Sequence, residues 1–315
     1  MLTGKRGFLV VKRGRSWYNI ISTNRNLLRR RSEHAMLKVT FLGTTLLFDD
    51  GKDQILFDAH ITRPSLSRYI RGVKESTNRT LCDEIIRLHH INRLRAVFIS
   101  HTHHDHVMDA PYFANKCGAR IYGSESAKNV ALRGGVSAEN IAVFKHGDSF
   151  DIGDYKIRIL KSIHSKPTVL NNDLGEPIKE PLIQPARLRD YKEGGSYDFY
   201  IEYQEKKLLI RPSFNYIEGQ LDDIRADVLF LGVAGLAKAD PDMEKTFFSE
   251  TVEKTGAQLV IPIHWDNFFS PLDQPIKGIP DLIEKTGLAF FKTAQYCEAH
   301  DVNFLIQYPR TSIIL

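Results

Sequence analysis

Four histidines and one aspartate crowd into six consecutive positions, and this cluster strongly limits what the chain can fold into. The segment "SHTHHDH" (100–106) directly follows the apolar run "LRAVFI", which predicts a short buried strand. Imidazole and carboxylate are usual zinc ligands in proteins. The cluster therefore predicts a metal site that draws its remaining ligands from elsewhere in the chain. The candidate ligands within it are the alternating residues and the one that follows them, namely His101, His103, Asp105 and His106.

Three other apolar segments also end at a polar residue. "RILKSI" is followed by His164, "LLIRP" by Ser213 and "LVIPI" by His264. In layered α/β folds, functional side chains gather where rigid strands end and loops open. If these strand ends converge, the chain can form two metal centres. The first would use His101, His103 and His164, and the second would use Asp105, His106 and His264.

Each predicted centre has three protein ligands, which leaves a position for water, as a catalytic zinc site requires. Zinc lowers the pKa of bound water to roughly 7, so hydroxide is available at neutral pH. We therefore predict a metal-dependent hydrolase with one or two zinc ions. Manganese or iron are alternatives, because histidine-rich sites accept several divalent ions. Asp105 is the expected catalytic residue, since its carboxylate can orient the attacking water.

Other histidines and aromatic residues near these segments each have two interpretations. His104 lies inside the cluster but falls between the alternating candidates His103 and Asp105, so we predict a structural role. His60 follows Asp58 at another strand end and either packs in the core or lines the pocket. The same choice between pocket and core applies to three aromatic residues, Trp265, Phe268 and Phe269.

Hairpin patterns open each half of the chain, and alternating strands and helices follow. The first hairpin begins with the strand at 37–43, and the second occupies 149–165. This order favours an α/β fold in which two sheets pack face to face with helices outside, a four-layer αββα sandwich. Near the C-terminus the pattern predicts a helix near 280–286, a strand at 288–293 and a final strand at 302–308.

Residues 166–196 hold four prolines and show no periodicity, so they are predicted to form a long loop. Loops of this length in compact domains are often functional. Because this loop follows the candidate ligand His164, we expect it to be mobile without ligand and to contact the substrate. Shortening it should change substrate preference more than metal content.

The positive charge of the chain is concentrated at its beginning. Residues 1–35 contain nine Lys or Arg and one acid, a net +8, so the remaining 280 residues of this +5 chain are net −3. We interpret 1–35 as a basic extension and 36–315 as one hydrolase domain. An acidic body disfavours nucleic acid as a partner, because binding to the phosphate backbone needs a basic surface.

Three unpaired cysteines, Cys82, Cys117 and Cys297, give no disulfide framework and no thiolate zinc motif. No apolar run approaches the ~18 residues that a membrane span requires. The short apolar stretch "FLVV" near the beginning is not typical of a signal peptide. These features favour a cytoplasmic location. They leave the oligomeric state open.

The motif "HTHHDH", with "SIHS" and "PIHW" downstream, resembles the HxHxDH signature of the metallo-β-lactamase superfamily over about residues 36–310. "FLGT" near the start and Asp58 in "LFDA" also match. The "PIHWDNF" ending looks most similar to the branch that contains ascorbate-phosphate lactonase and N-acylphosphatidylethanolamine phospholipase D. The resemblance implies the αββα fold, the two zinc sites above, and a bracing role for Asp58 behind the ligands.

One position departs from the family pattern. Most members have an aspartate that bridges the two metals where this chain has Ser213, in "LLIRPSFNY". A neutral hydroxyl is a weak ligand, so we expect the second ion to bind less tightly than the first.

Three functions remain open from the sequence. The leading one is hydrolysis of a small ester, lactone or phosphodiester by a metal-bound hydroxide. The basic extension and phosphodiester-cleaving relatives suggest a nuclease as the second. The third, suggested by Ser213, is a metal-binding protein without catalytic activity.

Overall fold

The computed structural model describes residues 36–167, 172–281 and 283–315, together with the backbone of two paired strands, Lys12–Arg13 and Ser16–Trp17. The remainder of the predicted 1–35 extension lies outside the described residues. Among the described residues, no helix combines the length and the apolar character needed to cross a bilayer.

Two seven-stranded mixed sheets form the centre of the molecule. The first sheet has the order β14-β1-β2-β3-β4-β5-β6, in which β3 to β6 are parallel neighbours and the other pairs are antiparallel. Its strands are β1 Lys38–Leu42, β2 Thr45–Asp49, β3 Gln54–Phe57, β4 Leu94–Phe98, β5 Arg120–Gly123, β6 Ile141–Val143 and β14 Ser312–Ile314.

The second sheet runs in sequence order from β7 to β13. Its first four strands are antiparallel neighbours, and β10 to β13 are parallel. The strands are β7 Ser149–Ile152, β8 Tyr155–Ser162, β9 Ser196–Tyr203, β10 Lys206–Arg211, β11 Val228–Gly232, β12 Leu259–Ile263 and β13 Asn303–Phe304.

The helices cover the outer faces of the sheets. The α-helices are α1 Leu66–Ile70, α2 Arg79–Leu88, α3 His104–Val107, α4 Ala110–Cys117, α5 Glu125–Arg133, α6 Pro241–Phe248 and α7 Thr286–Ala299. A π-helical segment, Ser249–Glu253, continues α6. Short 3-10 helices occupy Ala138–Asn140, Leu188–Asp190 and Leu236–Lys238. Asn78 caps α2 by accepting a hydrogen bond from the Leu81 amide.

Aromatic side chains fill the space between the two sheets. The rings of Phe57, Phe98 and Phe199 lie 5.3–5.7 Å apart, and all three are buried. Such ring contacts add to the free energy gained from burying apolar area. A second apolar cluster lies between the first sheet and α2, α4 and α5, while α6 and α7 pack on the second sheet. The α/β class and the αββα sandwich predicted from the sequence are confirmed.

The predictions near the C-terminus were partly wrong. Residues 288–293, predicted as a strand, lie inside α7, and the predicted helix at 280–286 is replaced by turns before α7 begins. A short apolar run does not distinguish a strand from a helix. Ala289, Thr293 and Cys297 are buried at intervals of four residues, which is the periodicity of one face of a helix. The predicted strand at 302–308 is only β13, and the unpredicted β14 pairs with β1.

Residues 166–196 are not a plain loop. They include a short strand, Ala186–Arg187, which pairs with Lys74–Glu75, and the 3-10 helix Leu188–Asp190. These elements anchor the end of the segment that is farther from His164.

Candidate metal centre

The strand ends converge as the sequence predicts, and they bring the candidate ligands into two groups. His101 follows β4, His164 follows β8, and His264 follows β12 at the same edge of the sandwich. The nitrogen and oxygen atoms within each group lie within 4.8 Å of one another. We call the groups the first triad, which is His101, His103 and His164, and the second triad, which is Asp105, His106 and His264.

The second triad has the spacing of a tetrahedral metal site. His264 Nε2 lies 3.2 Å from Asp105 Oδ2 and 3.1 Å from His106 Nε2, and His106 Nε2 lies 3.5 Å from Asp105 Oδ2. Zinc–nitrogen bonds of 2.0–2.1 Å in tetrahedral geometry place ligand atoms about 3.3–3.4 Å apart. The three atoms therefore already stand where a zinc ion would require them.

Asp58 fixes the orientation of the His106 ring. Its Oδ2 lies 2.7 Å from His106 Nδ1, and the carboxylate also accepts hydrogen bonds of 2.7 Å from the amide and the hydroxyl of Ser100. A carboxylate only accepts, so the ring hydrogen sits on Nδ1 and Nε2 keeps its electron pair toward His264. Asp58 has φ 58°, a conformation that aspartate tolerates better than most residues. This is the bracing position that the family resemblance implied.

The three rings of the first triad surround a common point. Their centroids are 4.8–5.0 Å apart, and the ring planes are nearly perpendicular. His101 Nε2 is buried and has no hydrogen-bond partner among the described residues. His164 Nδ1 lies 3.1 Å from the Ser165 carbonyl oxygen, which places the hydrogen on Nδ1 and the electron pair on Nε2.

A residue that the sequence analysis did not predict contacts the first triad. Asp173 Oδ1 lies 3.0 Å from His103 Nε2, so the loop at 166–196 touches a candidate ligand directly. No pattern in the sequence marks this aspartate among the other charged residues of the loop.

The charge states of the two triads differ. Burial holds the pKa of His101 well below its usual range and lowers the pKa of His164 to about 4, so both rings are neutral at pH 7. Burial acts to raise the pKa of Asp105, but the neighbouring histidines outweigh it and keep that pKa well below the usual range. Burial opposes protonation of His264, but the Asp105 carboxylate outweighs it and raises the pKa of that histidine.

The residues present fit divalent metal ions. Three neutral imidazoles converge in one group, and one of their nitrogens is buried without a partner. In the other group, two Nε2 atoms and a carboxylate oxygen crowd together, an arrangement that a cation between them would stabilise. Imidazole and carboxylate suit zinc, and manganese and iron also accept such ligands.

Ser213 follows β10 and is buried at the wall of the same cavity. Asp266, the nearest acid after His264 in the sequence, does not replace the expected bridging aspartate. It forms a fully buried ion pair of 2.7 Å with Arg63. Gly43, of the "FLGT" motif, makes room for that arginine, because a Cβ there would stand 1.5 Å from Arg63 Nη2. Asp266 therefore braces the segment after His264 rather than facing the triads.

The triads lie beside a cavity of about 730 Å³. His103, Asp105, His164 and His264 line it. Apolar side chains make up much of its wall, including Tyr69, Leu188, Phe214, Met243, Phe268 and Phe269. Residues from the 166–196 loop also line it, including Asp173, Arg189 and Lys192.

The sequence left four residues open between core and pocket, and the structure places two of them in each. His60 is fully buried and does not line this cavity, and its ring meets the edge of His104. Trp265 packs in the core, where it stacks on Phe41. Phe268 and Phe269 line the cavity, as the pocket interpretation predicted.

His104 belongs to neither triad, as its position in the cluster predicted, although it lines the cavity. Its ring packs against Tyr69 and Phe269, and burial lowers its pKa to about 4.

Comparison with protein families agrees with the fold. The family model described as the beta-lactamase superfamily domain matches residues 53–265, more than half of the chain, so the chain belongs to this superfamily. The matched region contains both triads, Asp58 and Ser213. A search of curated proteins gives no significant match.

Solved structures with the same fold include proteins described as hydrolases. A metallo hydrolase from the archaeon Ignicoccus hospitalis is 15% identical, with a TM-score of 0.54 over 89% of this chain and 98% of that one. The metallo-β-lactamase-fold protein YhfI from Bacillus subtilis is 14% identical, with a TM-score of 0.53 over 89% and 100%. An isothiocyanate hydrolase from Delia radicum gut bacteria is 14% identical, with a TM-score of 0.54 over 88% and 98%. At these identities the likeness shows the fold alone.

Proposed function

We propose that this protein is a metal-dependent hydrolase acting on an ester, a lactone or a phosphodiester. The observation that carries the proposal is the pair of adjacent triads at one cavity, whose closest rings, His101 and His106, have centroids 3.8 Å apart. Two neighbouring divalent sites beside a substrate-sized cavity are typical of hydrolases that activate water.

The first triad would hold one zinc ion, and the second triad would hold another. Bound divalent ions supply a water of lowered pKa and polarise an oxygen of the substrate. His106 keeps its Nε2 electron pair directed at the second site because Asp58 holds its Nδ1 hydrogen. Ser213 provides no charge at the wall of the cavity, so we propose that the second ion binds less tightly than the first.

Asp105 is the proposed catalytic residue. It is ionised at neutral pH and lines the cavity, with Oδ2 facing the two histidines of its triad. An ionised carboxylate only accepts hydrogen bonds, so it orients a water by binding one of its hydrogens. That orientation directs the oxygen electron pair toward a carbonyl carbon or a phosphorus atom in the cavity.

The cavity favours a substrate that has an apolar portion. Phe268 presents its ring 5.5 Å from the ring of His264 and packs on Phe269, so an apolar group can lie beside the second triad. Lys166, Arg189 and Lys238 are exposed at the cavity and favour members of the substrate class that carry a phosphate. A substrate with an apolar portion and a phosphate is in line with the resemblance to the branch of ascorbate-phosphate lactonase and N-acylphosphatidylethanolamine phospholipase D.

Metal analysis of the purified protein and an activity screen test the proposal. The screen would use bis-p-nitrophenyl phosphate, p-nitrophenyl acetate and simple lactones, with protein as purified, stripped of metal, and reloaded with zinc, manganese or iron. We expect bound divalent metal and hydrolysis that is lost on stripping and restored on reloading. Hydrolysis that persists in fully stripped protein would contradict the proposal.

A metal-binding protein without catalytic activity is the second candidate, favoured by Ser213 in place of the usual acid. It predicts two metal-loaded triads and no turnover of any substrate in the same screen. Hydrolysis that depends on reloading would exclude it.

A further inference from the structure

We infer that Asp173 is a positioning residue for the first triad, acting on His103 as Asp58 acts on His106. The inference rests on the proposed metal-binding function. It also assigns a role to a loop that the sequence analysis connected only with the substrate.

The contact itself is specific. Asp173 Oδ1 lies 3.0 Å from His103 Nε2, and the two side chains are only 14% and 12% exposed. The carboxylate can only accept, so it places the ring hydrogen on Nε2 and the electron pair on Nδ1. His103 would therefore bind metal through Nδ1, and a carboxylate on the outer nitrogen makes imidazole a stronger ligand.

The loop around Asp173 is anchored rather than loosely placed. Glu193 is buried, and its Oε2 accepts hydrogen bonds of 2.9 Å from the amides of Gly175 and Gly195. The amide of Glu176 donates to the Asp173 carbonyl oxygen at 2.9 Å. These contacts hold the backbone that follows Asp173, and the Asp173 carboxylate contacts His103 from this anchored segment.

The same loop is bound to the ligand segment at a second point. Thr102, which lies between His101 and His103, donates its amide to the Glu193 carbonyl oxygen at 2.8 Å and its hydroxyl to the Lys192 carbonyl oxygen at 2.5 Å. The loop therefore holds the backbone beside His103 as well as its ring. Two independent contacts at adjacent residues fix the direction of the His103 ring.

Each triad then has one histidine held by an outer carboxylate. Asp58 comes from the end of β3, whereas Asp173 comes from a loop that also lines the cavity. Both acids would also bring negative charge close to ions held by the two triads, which would partly compensate for the neutral Ser213.

The tautomer of His103 tests the inference without any metal. Long-range ¹H–¹⁵N correlation spectra of zinc-free protein should show His103 with its hydrogen on Nε2. Asp173→Ala should give a mixture of tautomers, while Asp173→Asn should keep the Nε2–H form, because the amide oxygen still accepts. The matched control is Glu176→Gln, which removes a carboxylate of the same loop that binds Lys192 and not His103. A wild-type His103 in the Nδ1–H form would overturn the inference.

Zinc competition titrations against a chelator give the second readout. We expect Asp173→Ala to weaken zinc at the first triad by roughly 10–100-fold, Asp173→Asn to weaken it less, and Glu176→Gln to leave it within about twofold of wild type. Histidine NMR signals would identify which triad fills. Unchanged first-triad affinity in Asp173→Ala would overturn the inference. If the wild type binds no zinc, the proposed function fails, while the tautomer still decides the role of Asp173.

Discussion

The two triads differ in their charge and in the source of their support. The second triad contains a carboxylate of its own and is braced by Asp58, which leaves the end of a strand and makes three short contacts. The first triad consists of three imidazoles, and its outer acid, Asp173, belongs to a loop at the cavity. One site is thus supported by the sheet and the other by the loop that faces the substrate.

This difference allows the effect of ligand geometry on metal affinity to be distinguished from the effect of charge. The second triad has the ligand spacing of a tetrahedral site before any ion arrives. Any weakness of its ion must therefore come from electrostatics, since two dications repel and Ser213 supplies no bridging anion. The first triad needs the loop in place to hold His103, so its affinity depends on residues that also contact the substrate.

The largest expected effect is that of removing a ligand from the first triad. His101→Ala leaves two imidazoles, too few to hold the ion well, so it should lose most bound metal and reduce hydrolysis at least about 1,000-fold. Metal analysis and turnover measurements check this. The control is His300→Ala, which removes an exposed histidine that does not line the cavity. Wild-type metal content in His101→Ala would refute the ligand assignment.

Acidification should weaken metal binding at the second triad more than at the first. The pKa of His264 is raised, so this ring becomes protonated at a pH above the usual range of histidine, and metal must then displace a proton. The pKa values of His101 and His164 are lowered, so those rings stay neutral at pH 5.5. Between pH 7.5 and 5.5 the second ion should weaken by up to about tenfold per pH unit below the pKa of His264, and the first ion much less.

Zinc titrations at the two pH values measure this separation. Equal weakening of both ions would show that the charge difference between the triads does not control their affinity.

Asp58→Asn tests the outer carboxylate of the second triad, as the Asp173 variants test that of the first. Asparagine keeps a hydrogen-bond acceptor and tolerates the positive φ, so the fold should persist while the negative charge behind His106 is lost. We expect about tenfold weaker zinc at the second triad and little change at the first, at the lower end of what outer carboxylates contribute. The same chelator competition checks this prediction. A loss of zinc affinity confined to the first triad would show that Asp58 does not support the second triad.

The smallest effect is expected from restoring an acid to the wall of the cavity. Ser213→Asp adds an anion where the superfamily usually has one, so affinity at the second triad should rise severalfold after the cost of burying the carboxylate. Zinc titration of stripped wild type and variant checks it, with Ser213→Asn as the neutral control of similar size. An equal gain in the asparagine variant would show that charge is not the cause.

The sequence predicts the second triad more fully than the first. Asp105 and His106 belong to the same short motif as His101 and His103, and the bracing role of Asp58 was implied by the family resemblance. His164 and His264 were predicted from their positions at the ends of apolar strands. Asp173 could not be found, because its contact with His103 depends on how an aperiodic loop folds back over 70 residues.

The fold shows a similar division. Strands with continuous buried runs and the sandwich itself follow from the apolar pattern. The strand predicted at 288–293 failed because a short apolar run fits either period, and helix α7 exposes Leu288 and Phe291 to solvent. Arg63 was also missed, since only the three-dimensional structure shows a buried cation against Asp266.

The most direct test of two unequal metal sites is anomalous diffraction at the zinc edge, on crystals of stripped protein given one or two equivalents of zinc. With one equivalent, a single peak is expected among His101, His103 and His164. With two equivalents, a second peak should appear among Asp105, His106 and His264. No peak in either triad at two equivalents, or equal peaks in both at one equivalent, would contradict it.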